Sequence, residues 1–171
     1  MSTPTPPSLR LLQATSIALL TTAAGLSASL SIFVVPRLLE SPTPVLIRQF
    51  NRMLSSAHRL LPVPLVVVPG LVHAYLAYRL PGETRAAYAV AAMLSFTTVP
   101  WTRAVMLPVN RKMADKARDL EAAGVGVLVD EVAAADAETA HALVDSWATR
   151  NLYRPAVALA AGCIGLYAAL S

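Results

Sequence analysis

"LLQATSIALLTTAAGLSASLSIFVV", residues 11–35, runs for 25 residues without a formal charge. A helix crossing a bilayer needs about 20 apolar residues, whereas the apolar centre of a secretory leader has about 7–15. The stretch therefore predicts a retained membrane span, preceded by a disordered leader "MSTPTPPS" over 1–8. Three further apolar runs follow, at 60–78, 86–107 and 152–170. Between the second and third, "RLPGETR" (79–85) carries Pro81-Gly82, the chemistry of a tight turn. The expected fold class is all-α: an integral membrane four-helix bundle forming one domain over 9–171, with amphipathic interfacial helices in its two long loops.

Composition supports lipid as the solvent. The 171 residues are 56% hydrophobic and 14% charged, whereas soluble domains carry about 25% charged residues. The single cysteine, Cys163, excludes an intramolecular disulfide and any CxxC motif. A net charge of +4 with few aromatics and long apolar runs argues against a nucleic-acid partner. No internal repeat is present.

Four spans put both termini and the 79–85 turn on one side, with Arg10, Arg79 and Arg85. The other side collects Arg37, Arg48, Arg52, Arg59, Arg111, Lys112, Lys116, Arg118, Arg150 and Arg154. Basic residues favour the cytosolic face, so the two long loops are expected there and the termini opposite. In a eukaryote, an endomembrane such as the endoplasmic reticulum is the expected site.

Small residues recur along span one (Thr21, Gly25, Ser29) and span four (Ala161, Gly165, Ala169), as ridges that let helix backbones approach. Pro69 lacks a backbone donor and its ring clashes with the carbonyl of Leu65, predicting a kink that opens a pocket. In the first long loop, Leu46, Phe50, Met53, Leu54, Ala57 and Leu61 share one helical face, and Arg48, Arg52, Ser55 and Arg59 the other. That pattern predicts a helix lying at the membrane interface with its basic face outward. Asn51 and His58 fall on its border. In the second long loop, Asn110 to Leu120 extends span three, Gly124 and Gly126 break it, and Asp136 caps a helix through Ala140, Leu143, Val144 and Trp147.

Polar residues gather where spans three and four meet these loops. Trp147, Arg150, Asn151 and Arg154 stand at i, i+3, i+4 and i+7, on one helix face, just before Pro155. Arg103, Met106 and Asn110 repeat that spacing in "PWTRAVMLPVN" (100–110), between Pro100 and Pro108. Charged residues within spans mark functional sites. The other reading makes Arg103, Arg150 and Arg154 snorkelling anchors and Trp147 a belt residue. Spacing alone leaves both standing.

Several segments together resemble the anthrone oxygenase family of small four-span membrane proteins. "AGLSASLSIFVVPRLL" (24–39) is similar to its first span. "PWTRAVMLPVN" resembles a P-[FW]-T…M-x-P-x-N signature at Pro100, Trp101, Thr102, Met106, Pro108 and Asn110. "WATRNLYR" (147–154) resembles W-x3-[NH]-x2-R at Trp147, Asn151 and Arg154. Arg103 falls outside these patterns. The resemblance implies oxidation of an anthrone-type aromatic polyketide to an anthraquinone, with dioxygen as co-substrate and no metal, flavin or other cofactor. It assigns Asn110, Asn151 and Arg154 to oxyanion stabilisation. Trp101, Thr102, Met106 and Trp147 would bind substrate. His58 is the candidate base, with His73 in span two as a second candidate lining the substrate. The only histidines are His58, His73 and His141; the first two would lie about 22 Å apart on one helix, too far to share a metal. The expected partners are the polyketide, the bilayer, and pathway enzymes or a second copy of the chain. A non-catalytic scaffold or lipophilic-metabolite carrier, or a different oxidation or rearrangement, fits the same helices.

Overall fold

The computed structural model describes residues 5–123 and 139–171. All regular elements among them are helical: α1 (Pro7–Ser29), α2 (Val35–Leu39), α3 (Thr43–Leu60), α4 (Val68–Arg79), α5 (Gly82–Trp101), α6 (Leu107–Ala123), α7 (Ala140–Asn151) and α8 (Tyr153–Leu170). Three continuous helical runs, Pro7–Leu39, Gly82–Ala122 and Ala140–Leu170, are long and apolar enough to cross a membrane. The interrupted pair Thr43–Arg59 and Val63–Arg79 brings the number to as many as four. The expected all-α, multi-span class stands. Pro7 and Ser8, expected in a disordered leader, are helical; Pro7 opens the helix where its missing donor costs nothing. Residues 1–4 lie outside the described residues.

Three π turns interrupt the helices, at Leu30–Val34, Val63–Val67 and Thr102–Met106. Each ends two residues before a proline: Pro36, Pro69 and Pro108. In a regular helix, proline clashes with the carbonyl four residues earlier. Here those residues are Ile32, Leu65 and Ala104, each at the centre of its π turn. The wider turn moves the carbonyl aside, and the helix continues past the proline. Pro100, by contrast, sits inside α5 without ending it.

The chain divides into two compact units. Unit one comprises Met1–Ser27, Leu60–Pro100 and Tyr153–Ser171; unit two comprises Ala28–Arg59 and Trp101–Leu152. Ten of the fourteen lysines and arginines belong to unit two, which makes unit one the apolar unit.

Unit one packs Leu9, Leu76, Leu80, Tyr88 and Ala168 in one cluster and Leu20, Ala91 and Ala161 in another. A Cβ on Gly70 would stand 2.9 Å from Cζ of Phe96, so glycine is what seats that ring. The 79–85 turn forms as expected, with Gly82 at φ 64° and Arg85 Nε donating to the Leu80 carbonyl at 3.2 Å. The span-one ridge is corrected. Thr21 and Gly25 are exposed, and a Cβ on Gly25 would touch nothing; Leu20, Ala23 and Ala24 are buried instead. On α8, Ala161, Gly162, Gly165 and Ala168 are buried, and Ala169 is exposed.

Unit two surrounds α7 with α2, α6 and the π turns at 30–34 and 102–106. Its core holds Val35, Leu46, Ile47, Phe50, Met106, Val109, Met113, Leu143, Val144 and Trp147. The α3 periodicity is as expected, and Leu46, Ile47 and Phe50 on its apolar side are buried in this core. Asn51 Nδ2 donates to the Met113 carbonyl at 3.2 Å, tying α3 to α6. Arg48, Arg52 and Arg59 are exposed. Thr139 caps α7, its hydroxyl accepting from the Ala142 N–H at 3.1 Å. Gly124, Gly126 and Asp136, expected to shape this entry, lie outside the described residues.

Candidate functional site

The last turn of α7 is the focus of unit two. Asn151 is 1% exposed, and its Nδ2 donates to Ser31 Oγ at 2.9 Å. Ser31 sits in the 30–34 π turn, so this bond fastens α7 to the first long helix. Trp101 Nε1 donates to the Arg150 carbonyl at 3.3 Å, fastening the same end of α7 to the residue before the 102–106 turn. π turns inside α-helices occur frequently at functional sites. Here two of them flank one helix end.

One turn earlier, Trp147 is 4% exposed and meets Phe50 edge to face, with ring centroids 5.3 Å apart. Its indole nitrogen is buried without a hydrogen-bond partner, and so is Oδ1 of Asn110 on α6. Such an unmet group costs about 1–3 kcal/mol. Unit two thus holds a buried unmatched donor and a buried unmatched acceptor. Met106 is buried in the same core as Trp147; Thr102 opens the π turn, its carbonyl accepting from the Leu107 N–H. These groups can hydrogen-bond the polar rim of a flat apolar guest. Among the described residues, no three His, Cys, Asp or Glu side chains stand together as a metal set.

Unit two thus gathers Trp101, Thr102, Met106, Asn110, Trp147 and Asn151. The expected face Arg103–Met106–Asn110 is not kept. The π turn lies within it and changes the angular step, so Arg103 is exposed while Met106 is buried. Arg150 is likewise exposed, off the buried Trp147–Asn151 side. His58 lies exposed near the end of α3. His58 and His73 sit on separate helices, not on one.

His73 and Arg154 belong to unit one. Arg154, half-buried, follows the break at Leu152 that separates α7 from α8. His73 is fully buried on α4, with its ring centroid 5.5 Å from that of Tyr88. Neither ring nitrogen has a hydrogen-bond partner.

Sequence reasoning missed Ser31, Phe50 as the partner of Trp147, and Tyr88. Ser31 was visible only as one of several small residues in a span. Phe50 was assigned to lipid because its helix reads as interfacial.

A protein-family model described as anthrone oxygenase matches residues 50–164, more than half of the chain. The match takes in all nine candidate residues. Comparisons with curated proteins and with solved structures return no match.

Proposed function

We propose, from the premise that the chain belongs to the anthrone oxygenase family, that it is a membrane-bound oxygenase converting an anthrone-type aromatic polyketide to an anthraquinone with dioxygen, without metal or flavin. Membership supports an oxygenase role. The observation that carries the finer reading is the unmatched Trp147 N–H and Asn110 Oδ1, both buried in unit two on two of the family-like segments.

The chemistry asks little beyond positioning. Loss of a proton from the anthrone methylene gives an aromatic, phenolate-like anion. That anion passes one electron to dioxygen, and the radical pair recombines to a carbon-bound peroxide anion, which takes up a proton to become the hydroperoxide. Loss of water then leaves the new carbonyl, so one oxygen atom enters the product and the other leaves as water. The protein must accept the proton and stabilise the oxyanion. It must also hold the rings in an apolar setting.

Trp147 is the assigned oxyanion donor, and Asn110 Oδ1 receives a phenolic O–H of the substrate. Asn151 already donates to Ser31, so its contribution is the seating of α7. Trp101, Thr102 and Met106 line the ring system. His58 is the assigned base, exposed enough to return the proton to water. The basic residues of unit two favour a cytosolic location for the long loops, with the termini opposite. The partners in this reading are the polyketide, the bilayer, and pathway enzymes or a second copy; nucleic acid is not among them.

The test is purified protein in detergent supplied with emodin anthrone, recording oxygen uptake and quinone absorbance. The expected result is conversion faster than the spontaneous background, lost in Asn110→Ala. A folded protein that gives no acceleration would falsify this reading and favour a carrier or scaffold.

A further inference from the structure

Unit one is apolar, yet its helices bring polar groups together in its interior. Gln13 and Ser16 of α1, His73 of α4 and Tyr88 of α5 are all buried. We propose that His73 and its surroundings form a binding site, within unit one, for a phenolic hydroxyl of a flat lipophilic aromatic molecule. The ligand class rests on the oxygenase reading; the site rests on unit one alone.

Several buried polar side chains of unit one have spent their hydrogen bonds elsewhere. The Tyr88 hydroxyl donates to the Gly165 carbonyl at 3.1 Å and is also hydrogen-bonded by the Gln13 side chain. Ser16 Oγ donates to the Gln13 carbonyl at 3.0 Å, and Ser95 Oγ to the Ala91 carbonyl at 2.9 Å. Both imidazole nitrogens remain unmatched. A neutral imidazole offers one donor and one acceptor, and ionisable residues within spans default to functional roles. Gly165 makes the arrangement fit: a Cβ there would lie 3.0 Å from Nε2 and 3.2 Å from Cε1 of His73.

The surroundings select the ligand. The arginines and the glutamate of unit one, Arg10, Arg79, Glu83, Arg85 and Arg154, lie near helix ends, so a charged ligand would meet no countercharge beside His73. A phenol is neutral, partitions into hydrocarbon, and donates well to a bare ring nitrogen. The Tyr88 ring, tilted 47° to the imidazole, supplies an aromatic wall.

The experiment uses full-length protein labelled with nitrogen-15 histidine, carrying His58→Gln and His141→Gln so that His73 is the one histidine left. Emodin, already a quinone and not consumed, is titrated in detergent micelles. The ring nitrogen resonances are expected to move with emodin and saturate. His73→Phe and Gly165→Ala should each weaken emodin binding about tenfold or more, the scale of one lost hydrogen bond, with helicity by circular dichroism retained in at least one of them. Resonances that stay fixed at saturating emodin, responding only to exchange of H2O for D2O, mean a bound water and overturn the proposal. Because emodin is not turned over, this outcome is independent of whether the protein oxidises anthrones.

Discussion

Trp147 and Asn151 lie one turn apart on α7, yet their polar atoms have different standing. The Asn151 amide is engaged by Ser31, whereas the Trp147 indole N–H is buried with nothing to receive it. Removing an unmatched buried donor should not destabilise a protein, and removing one half of a buried pair should. Trp147→Phe keeps a ring against Phe50 and deletes the N–H. It is expected to leave the melting temperature unchanged or raised, while kcat for anthrone oxidation falls about 100–1000-fold, the range for loss of one oxyanion donor. Unchanged kcat would make Trp147 a packing residue only. Ser31→Ala has the opposite signature: a stability loss of about 1–3 kcal/mol, read by denaturant titration in detergent. If Ser31→Ala is as stable as the parent, the Ser31–Asn151 bond does not hold α7 in place.

At the scale of elements, the π turns and α3 show what spacing can and cannot foretell. Pro69 was plain in the sequence as a helix disturbance, and Pro108 stood out beside Pro100 in span three. The π turns were not plain, because spacing arithmetic assumes a constant 3.6 residues per turn; that assumption placed Arg103 on the same face as Met106. The α3 periodicity was equally plain, but an apolar stripe does not name its partner, and Phe50 turned out to face Trp147 rather than lipid. The small-residue ridge on span one failed for a related reason: small residues occupy several of its faces, so spacing alone selects none. A π turn is in effect one residue inserted into an α-helix, which gives a test. Deleting Ala104, exposed at the centre of its turn, in a Pro108→Ala background should restore a regular helix with α5 and α6 still in phase with their cores. Deleting Ala87 in regular α5 rotates the rest of the helix by about 100°. The first variant is expected to purify as folded protein by size exclusion and circular dichroism, and the second to aggregate. Equal failure of both would mean that the π turn is not a removable insertion.

For the whole molecule, the apolar runs made the membrane class and the all-helical fold legible, and the family-like segments pointed to Trp101, Trp147 and Asn151. The division into two interleaved units was not legible, because each long helix contributes to both. Charge separates those units: unit one carries four basic residues, at helix ends, and unit two carries ten. Basic segments next to spans are retained on the cytosolic face, so Arg52 on α3 and Glu83 in the 79–85 turn should face opposite compartments. Both are exposed, and Cys163, also exposed, must first be replaced by alanine to clear the background. In sealed vesicles with the cytosolic face outward, an impermeant maleimide is expected to label Arg52→Cys directly and Glu83→Cys only after detergent. The reverse pattern would invert the topology and put His58 on the non-cytosolic face. Labelling of both without detergent would mean that the broken helix pair Thr43–Arg59 and Val63–Arg79 does not cross at all, because Glu83 would then share a side with α3.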